Sequence, residues 1–204
     1  MTERSWQQSS TEDFSRMNII VRTFEGKCIV RPDTTWERDN EDLYLPEFIN
    51  SVSYTPVFFA RISKPGRSIG ERFAARYHEG INFGVLLYPD DFLDGSPEGF
   101  AEASCLDHTS FLPFPVHDEM TLGQAGEGFK LFRGSELIFS NDECSIGSIE
   151  KAIANASRRI YFRSGDLICI ELAPKQTLCS RNDNDLRISA SFRDLQILDF
   201  RLIF

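Results

Sequence analysis

The sequence has 204 residues, 41% of them hydrophobic, with a net charge of −9 and a pI near 4.9. This length suits one domain with a substantial buried core. An acidic balance with no Lys/Arg cluster to offset it excludes a phosphate-neutralising nucleic-acid binder, and no run of about 18 apolar residues marks a membrane span.

Five cysteines, Cys28, Cys105, Cys144, Cys169 and Cys179, are odd in number, widely spaced and free of any C-x-x-C pair. That argues against a disulfide scaffold or a zinc site, and the thiols read as small buried hydrophobes in a reducing compartment. Met1 to Arg4 opens without a signal-type apolar segment, so the expected location is the cytoplasm.

Residues 1–16 are polar and aperiodic, and are expected to form a flexible extension before a single domain over 17–204. Met17 to Val30 gives two short apolar runs about Glu25-Gly26, a hairpin signal. Asp39 to Asp42 reads as a solvated turn. Val52 to Ile62 is rich in β-branched and aromatic residues and reads as a strand. Pro56 lacks an N–H and is expected there at an edge, a strand start or a bulge.

Ser68-Ile69-Gly70-Glu71 forms a capping box ahead of a short helix with Ile69, Phe73 and Tyr77 on its apolar face. His78 would then sit at that helix's C-terminus as a dipole partner. A second strand follows over Gly80 to Tyr88. The loop Pro89 to Gly99 carries Asp90, Asp91, Asp94 and Glu98 at spacings that miss the EF-hand pattern, so it reads as solvated. Cys105, Asp107 and His108 bring a thiol, a carboxylate and an imidazole close in sequence. On a strand, however, His108 would face away from the other two, against a nucleophilic dyad. His117 lies in a Pro-rich loop. Phe129 to Phe132 is a strand before an Arg133-Gly134 turn. Ser148 caps a helix with Ile149, Ala152, Ile153, Ala156 and Ile160 on one side. Gly165 starts another strand, and Asn184 to Leu186 and Ile197 to Ile203 read as the closing two.

Several of these stretches resemble the fumarylacetoacetate hydrolase family, in particular its short single-domain members acting on acylpyruvates and related 2-oxo acids. Leu45-Pro46-Glu47-Phe48, Tyr54 and Arg61-Ile62-Ser63-Lys64 match, without a gap, the family's Leu-Pro-[Asp/Glu]-Phe run and its Tyr-Glu-x-Glu-Leu strand ending in [Lys/Arg]-Ile-Ser-Lys. Arg31-Pro32-Asp33-Thr34 and Gly165-Asp166-Leu167-Ile168 match further family stretches. The resemblance implies an α+β, mainly β fold: a mixed β-sandwich roll with a few short helices. It also implies a catalytic Mg²⁺ or Mn²⁺ held by carboxylates.

In this sequence those ligands are missing. The two metal-binding glutamates of the family fall on Thr55 and Val57, the ligand Asp falls on Leu86, and the active-site Lys falls on Ser104. The Asn-Tyr and the lid His of the family have no counterpart in the shortened segment Arg22 to Lys27. Ile170-Glu171-Leu172-Ala173-Pro174 replaces the Thr-Gly-Thr-Pro loop. The expectation is a catalytically degenerate protein without metal, acting by binding or assembly, as a homodimer or with a paralogue. Arg61, Lys64, Asp91 and Asp107 are the candidate residual pocket, with the two cations suited to a small anionic ligand. The alternative is an active hydrolase or isomerase of a small 2-oxo acid that uses relocated acids. Glu47, Asp90, Asp91 and Asp107 are the candidates, and at least two must then converge in one pocket.

Overall fold

In the computed structural model, residues 17–123, 126–183 and 186–204 are described. The expected extension over residues 1–16 lies outside them, as do Asn184 and Asp185 of the expected penultimate strand. The hairpin expected about Gly26 is formed by β1 (Ile19–Arg22) and β2 (Cys28–Arg31), and Gly26 takes the positive φ of +81° that its turn requires. Two short strands follow, β3 (Trp36–Glu37) and β4 (Leu43–Tyr44). The two long apolar runs become β5 (Ser51–Ile62) and β6 (His78–Pro89), paired antiparallel from end to end.

The segment between them departs from the sequence reading. Glu71–Arg76 is a 3₁₀ helix with Gly70 at its N-cap, and no side chain caps it. Ser68 adopts a φ of +52°, and its N–H donates to the Ser157 carbonyl, so it belongs to the preceding turn. His78 accordingly begins β6 instead of closing a helix. Next come α1 (Pro97–Ala103), capped by the Ser96 hydroxyl, and β7 (Ser110–Phe111). Cys105 to His108 therefore lie in a turn, not on a strand. The hairpin of β8 (Phe129–Arg133) and β9 (Glu136–Asn141) turns at Gly134 as expected. The cap of α2 (Ile146–Ala156) is Ser145 in place of Ser148, and its buried stripe is Ile149, Ala152, Ile153 and Ala156. β10 (Leu167–Glu171), β11 (Gln176–Ser180), β12 (Arg187–Phe192) and β13 (Leu195–Ile203) complete the described chain.

The strands form two sheets. The larger runs β2-β1-β10-β5-β6-β7-β3, with β11 also paired to β5, and the smaller runs β4-β13-β12-β8-β9. The strands at the two ends of the larger sheet, β2 and β3, are joined only by Pro32 to Thr35. Five Cα steps span at most about 17 Å, so the sheet curls back on itself into a roll. Its inner face carries Ile19, Val21, Val57, Phe59, Leu86, Tyr88, Leu167 and Cys169, all fully buried. Its outer face packs on the smaller sheet and on α2. Phe111 stacks on Phe200 at 3.6 Å between ring centres, and Phe83 stacks on Phe129 at 4.7 Å. The fold is mainly β with a few short helices, as the sequence implied.

Pro56 is the exception to expectation, since it sits mid-strand in the centre of the sheet. β10 pairs with Val57 to Arg61 and β11 with Ser51 to Tyr54, so Thr55 and Pro56 face the turn between them. The missing N–H falls where no ladder bond is required. Only Cys169 and Cys179 meet the expectation of burial. Cys28 and Cys144 are half-buried, Cys105 is exposed, and all five thiols are free. Among the described residues, no helix is long and apolar enough to cross a membrane.

Candidate functional site

Three of the four positions singled out by the sequence lie together on the inner face of the roll. Thr55 on β5 stands directly opposite Leu86 on β6, and Val57 follows two residues along on the same face. All three are fully buried. The Thr55 hydroxyl donates to the Ala173 carbonyl at 2.7 Å, which ties the β10–β11 turn down over β5. Ser104 is buried at the C-cap of α1, and its hydroxyl donates to the Phe100 carbonyl at 2.7 Å.

Beside Ser104 lies a residue the sequence reading passed over as part of a matching stretch. Arg31, at the end of β2, is fully buried. Its Nε donates to the Ser104 carbonyl at 3.0 Å, and Nη2 donates to the Leu87 carbonyl at 3.0 Å and the Thr109 hydroxyl at 2.7 Å. The guanidinium lies 4.9 Å from the centre of the Tyr88 ring, a distance at which a cation is attracted to the ring face. Burial pushes the Arg31 pKa down, yet a guanidinium keeps its proton at neutral pH.

Two more residues complete this polar island in an apolar face. Glu171 on β10 stands opposite Val57 and is buried. One of its oxygens accepts from the Tyr88 hydroxyl at 2.9 Å and the other from the Phe24 N–H at 2.8 Å. Burial raises the carboxyl of Glu171 above the ordinary range, because it penalises the charged form. The Tyr88 phenol is raised for the same reason. Lys175 reaches the rim, with Nζ 5.3 Å from the Tyr88 ring centre and 4.6 Å from that of Phe100.

These residues do not fit a divalent metal. Mg²⁺ or Mn²⁺ needs several hard oxygen donors at once, usually including carboxylates. Val57 and Leu86 offer no donor, the Thr55 hydroxyl is committed to Ala173, and both Glu171 oxygens already accept hydrogen bonds. A fixed guanidinium in the same layer adds a like charge against any incoming cation. Among the described residues, no three His, Cys, Asp or Glu side chains gather to hold a metal.

The remaining candidates are dispersed. Arg61, at the end of β5, lies 3.4 Å from Glu79, and Lys64 is exposed beyond it. Asp91 lies past the opposite end of β5 and accepts from the Asn50 N–H at 2.8 Å and the Asn50 amide at 2.7 Å. Ten strand residues put Ser51, which also donates to Asp91, about 33 Å from Arg61. Asp90 accepts from the Ser53 hydroxyl at 2.5 Å, while Glu47 and Asp107 are exposed. Asp90 and Asp91 thus anchor the entry to β5. His108 has turned toward Glu37, with Nδ1 3.3 Å from its carboxylate. His78 is buried with Nδ1 2.9 Å from Glu119, and His117 bridges to Ile81.

No protein-family model and no curated protein matches the sequence. Solved structures do match the fold. One, described as a fumarylacetoacetate hydrolase family protein of Yersinia pestis, aligns with TM-score 0.73 at 15% identity over 92% of each chain. A fumarylpyruvate hydrolase of Pseudomonas aeruginosa, solved with Mn²⁺ and pyruvate, aligns with TM-score 0.73 at 15% identity over 92% of this chain and 89% of its own. A 2-hydroxyhepta-2,4-diene-1,7-dioate isomerase of Mycobacterium marinum aligns with TM-score 0.69 at 15% identity over 91% and 74%. At such identity the likeness establishes the architecture, and proteins of that architecture include both hydrolases and isomerases.

Proposed function

We propose that this chain, which has the fumarylacetoacetate hydrolase fold, keeps that fold as a scaffold without its metal-dependent chemistry and acts by binding or assembly. Its partner in this reading is a second copy of itself or an active paralogue, and its five free thiols suit a reducing cytosol.

The observation that carries the reading is Arg31. A buried, triply hydrogen-bonded guanidinium shares the face on which Thr55, Val57 and Leu86 replace carboxylates. Hydrolysis or isomerisation of a 2-oxo acid needs a Lewis acid, or an equivalent, to hold the oxo and enolate oxygens as charge develops. Arg31 is a cation, but its Nε and Nη2 are committed to two backbone carbonyls and a hydroxyl, and its buried Nη1 has no hydrogen-bond partner among the described residues. Glu171 is a carboxyl, but each of its oxygens already accepts a hydrogen bond, one from Tyr88 and one from Phe24. The network ties the inner face together through buried groups.

The test is turnover. The purified protein, given fumarylpyruvate or a simple acylpyruvate with excess Mn²⁺ or Mg²⁺, should release product no faster than buffer containing the metal. Sedimentation at micromolar concentration should report an assembly. Metal-dependent turnover would refute the reading, and a strict monomer with no paralogue contact would remove its assembly arm.

A further inference from the structure

On the other side of the larger sheet, between the β1–β2 hairpin and the end of α2, lies a recess of about 170 Å³. Its rim carries Arg22 from β1, Lys27 from the hairpin turn and Arg159 just past α2, with Asn155 beside them. The floor is made of small and apolar side chains, Ala152, Ala156 and Ile168. Arg22 points to this side because Ile19 and Val21, alternate with Ile20 and Arg22, face the interior of the roll.

Three features single the recess out. No acidic side chain lines it. The acid of the hairpin, Glu25, is not among the residues that line it. Among the described residues, none of the three cations forms a salt bridge or donates a side-chain hydrogen bond, although the protein as a whole carries −9. Three like charges around one concavity repel one another until an anion enters. Ala152 and Ala156, one helical turn apart, keep the floor open where larger side chains would fill it.

We infer that this recess binds a compact dianion of the phosphate or phosphomonoester type. Two guanidinium forks can each meet two oxygens of a tetrahedral oxyanion, the ammonium supplies a third charge, and the Asn155 amide can donate to a further oxygen. A phosphate near neutral pH carries the charge to balance most of that excess. The site lies across the sheet from the Arg31–Glu171 network, so it stands or falls independently of whether the chain is an enzyme.

Inorganic phosphate is the first probe, titrated into the ¹⁵N-labelled full-length protein at low ionic strength, with calorimetry in parallel. The inference predicts saturable binding, with shifts centred on the amides of Gly26, Lys27, Cys28, Asn155 and Arg159. Arg22→Gln with Arg159→Gln should weaken binding at least tenfold, whereas Arg61→Gln with Lys64→Gln should leave it unchanged. Glycerol phosphate should bind and chloride at equal ionic strength should not. Shifts elsewhere, non-saturable shifts, or equal response to chloride would overturn the site. Tighter binding of succinate than of phosphate would overturn the choice of ligand. Because the shift map is read on the wild-type protein, failure of a variant to fold leaves the test intact.

Discussion

Replacing Arg31 with Met keeps most of the apolar stem and removes the charge together with three hydrogen bonds, of 3.0, 3.0 and 2.7 Å. Hydrogen bonds from a charged donor contribute about 1.5–3 kcal/mol each, but burying a guanidinium costs several kcal/mol, so much of that gain is offset. What Met cannot restore is the set of acceptors left behind, in particular the Ser104 carbonyl at the end of α1. Removing one side of a buried charged network costs about 3–5 kcal/mol. We expect a loss of about 3 kcal/mol, or a fall in Tm of roughly 6–12 °C for a domain of this size. Arg31→Lys should recover less than half, because an ammonium lacks the planar fork that meets three acceptors at once. Urea and thermal melts of the three proteins decide the matter. Unchanged or increased stability in Arg31→Met would mean that the guanidinium is a net cost, and the account of the inner face would fail.

Three further expectations concern the same framework. Burial raises the Glu171 pKa, so this group's contribution to stability is fully present below the unfolded value, about 4.3. That contribution is lost as pH rises through the folded value. Glu171→Gln should flatten that fall in urea melts taken between pH 4.5 and 8, and parallel curves for the two proteins would contradict it. At Gly84 on β6 an added Cβ would lie 2.3 Å from the Phe111 carbonyl oxygen and 2.9 Å from Leu112 Cδ2. Gly84→Ala should therefore cost about 2–3 kcal/mol by overpacking, measured as a lower denaturation midpoint with an unchanged slope. Iodoacetamide on the native protein at pH 8 should add one label, at exposed Cys105. Burial pushes Cys144 and Cys179 up to about 12 and raises Cys28 and Cys169 as well. Several rapid additions seen by intact mass would contradict this packing.

Much of the scaffold was legible because its signals are local. The β-branched and aromatic runs about Phe58 and Phe83 specify strands wherever they pack, and Gly26 and Gly134 mark turns through a conformation that few other residues adopt. The 3₁₀ helix at Glu71–Arg76 was misread because a capping-box sequence does not by itself specify a capped α-helix. Ser68 had a competing role, since its backbone N–H is taken by Ser157, distant in sequence. Pro56 was misplaced because its tolerance depends on where β10 ends and β11 begins, which no residue near Pro56 encodes. Thr55, Val57 and Leu86 were singled out through the family resemblance, and only the register of β5 against β6 brings Leu86 onto the face of the other two.

The residues that organise that face were not legible. Arg31 precedes a proline at a strand end, an ordinary place for a solvated cation, and its burial arises only when the roll closes and brings Ser104, Leu87 and Thr109 around it. Glu171 did leave a trace, a carboxylate in the otherwise apolar run Leu167 to Leu172. In such a run a charged group needs a buried partner, but nothing in the sequence identifies Tyr88 and the Phe24 amide as that partner.

The most direct test of the central claim, that the fold persists while the metal site is closed, is Mn²⁺ titrated into the purified protein by calorimetry with thermal melts alongside. A ligand that binds only the folded state must raise Tm as its concentration passes Kd. The account predicts no saturable heat and no rise in Tm at millimolar Mn²⁺. A stoichiometric isotherm with a rising Tm, both abolished by Glu171→Gln, would contradict it and make Glu171 the nucleus of a working metal site.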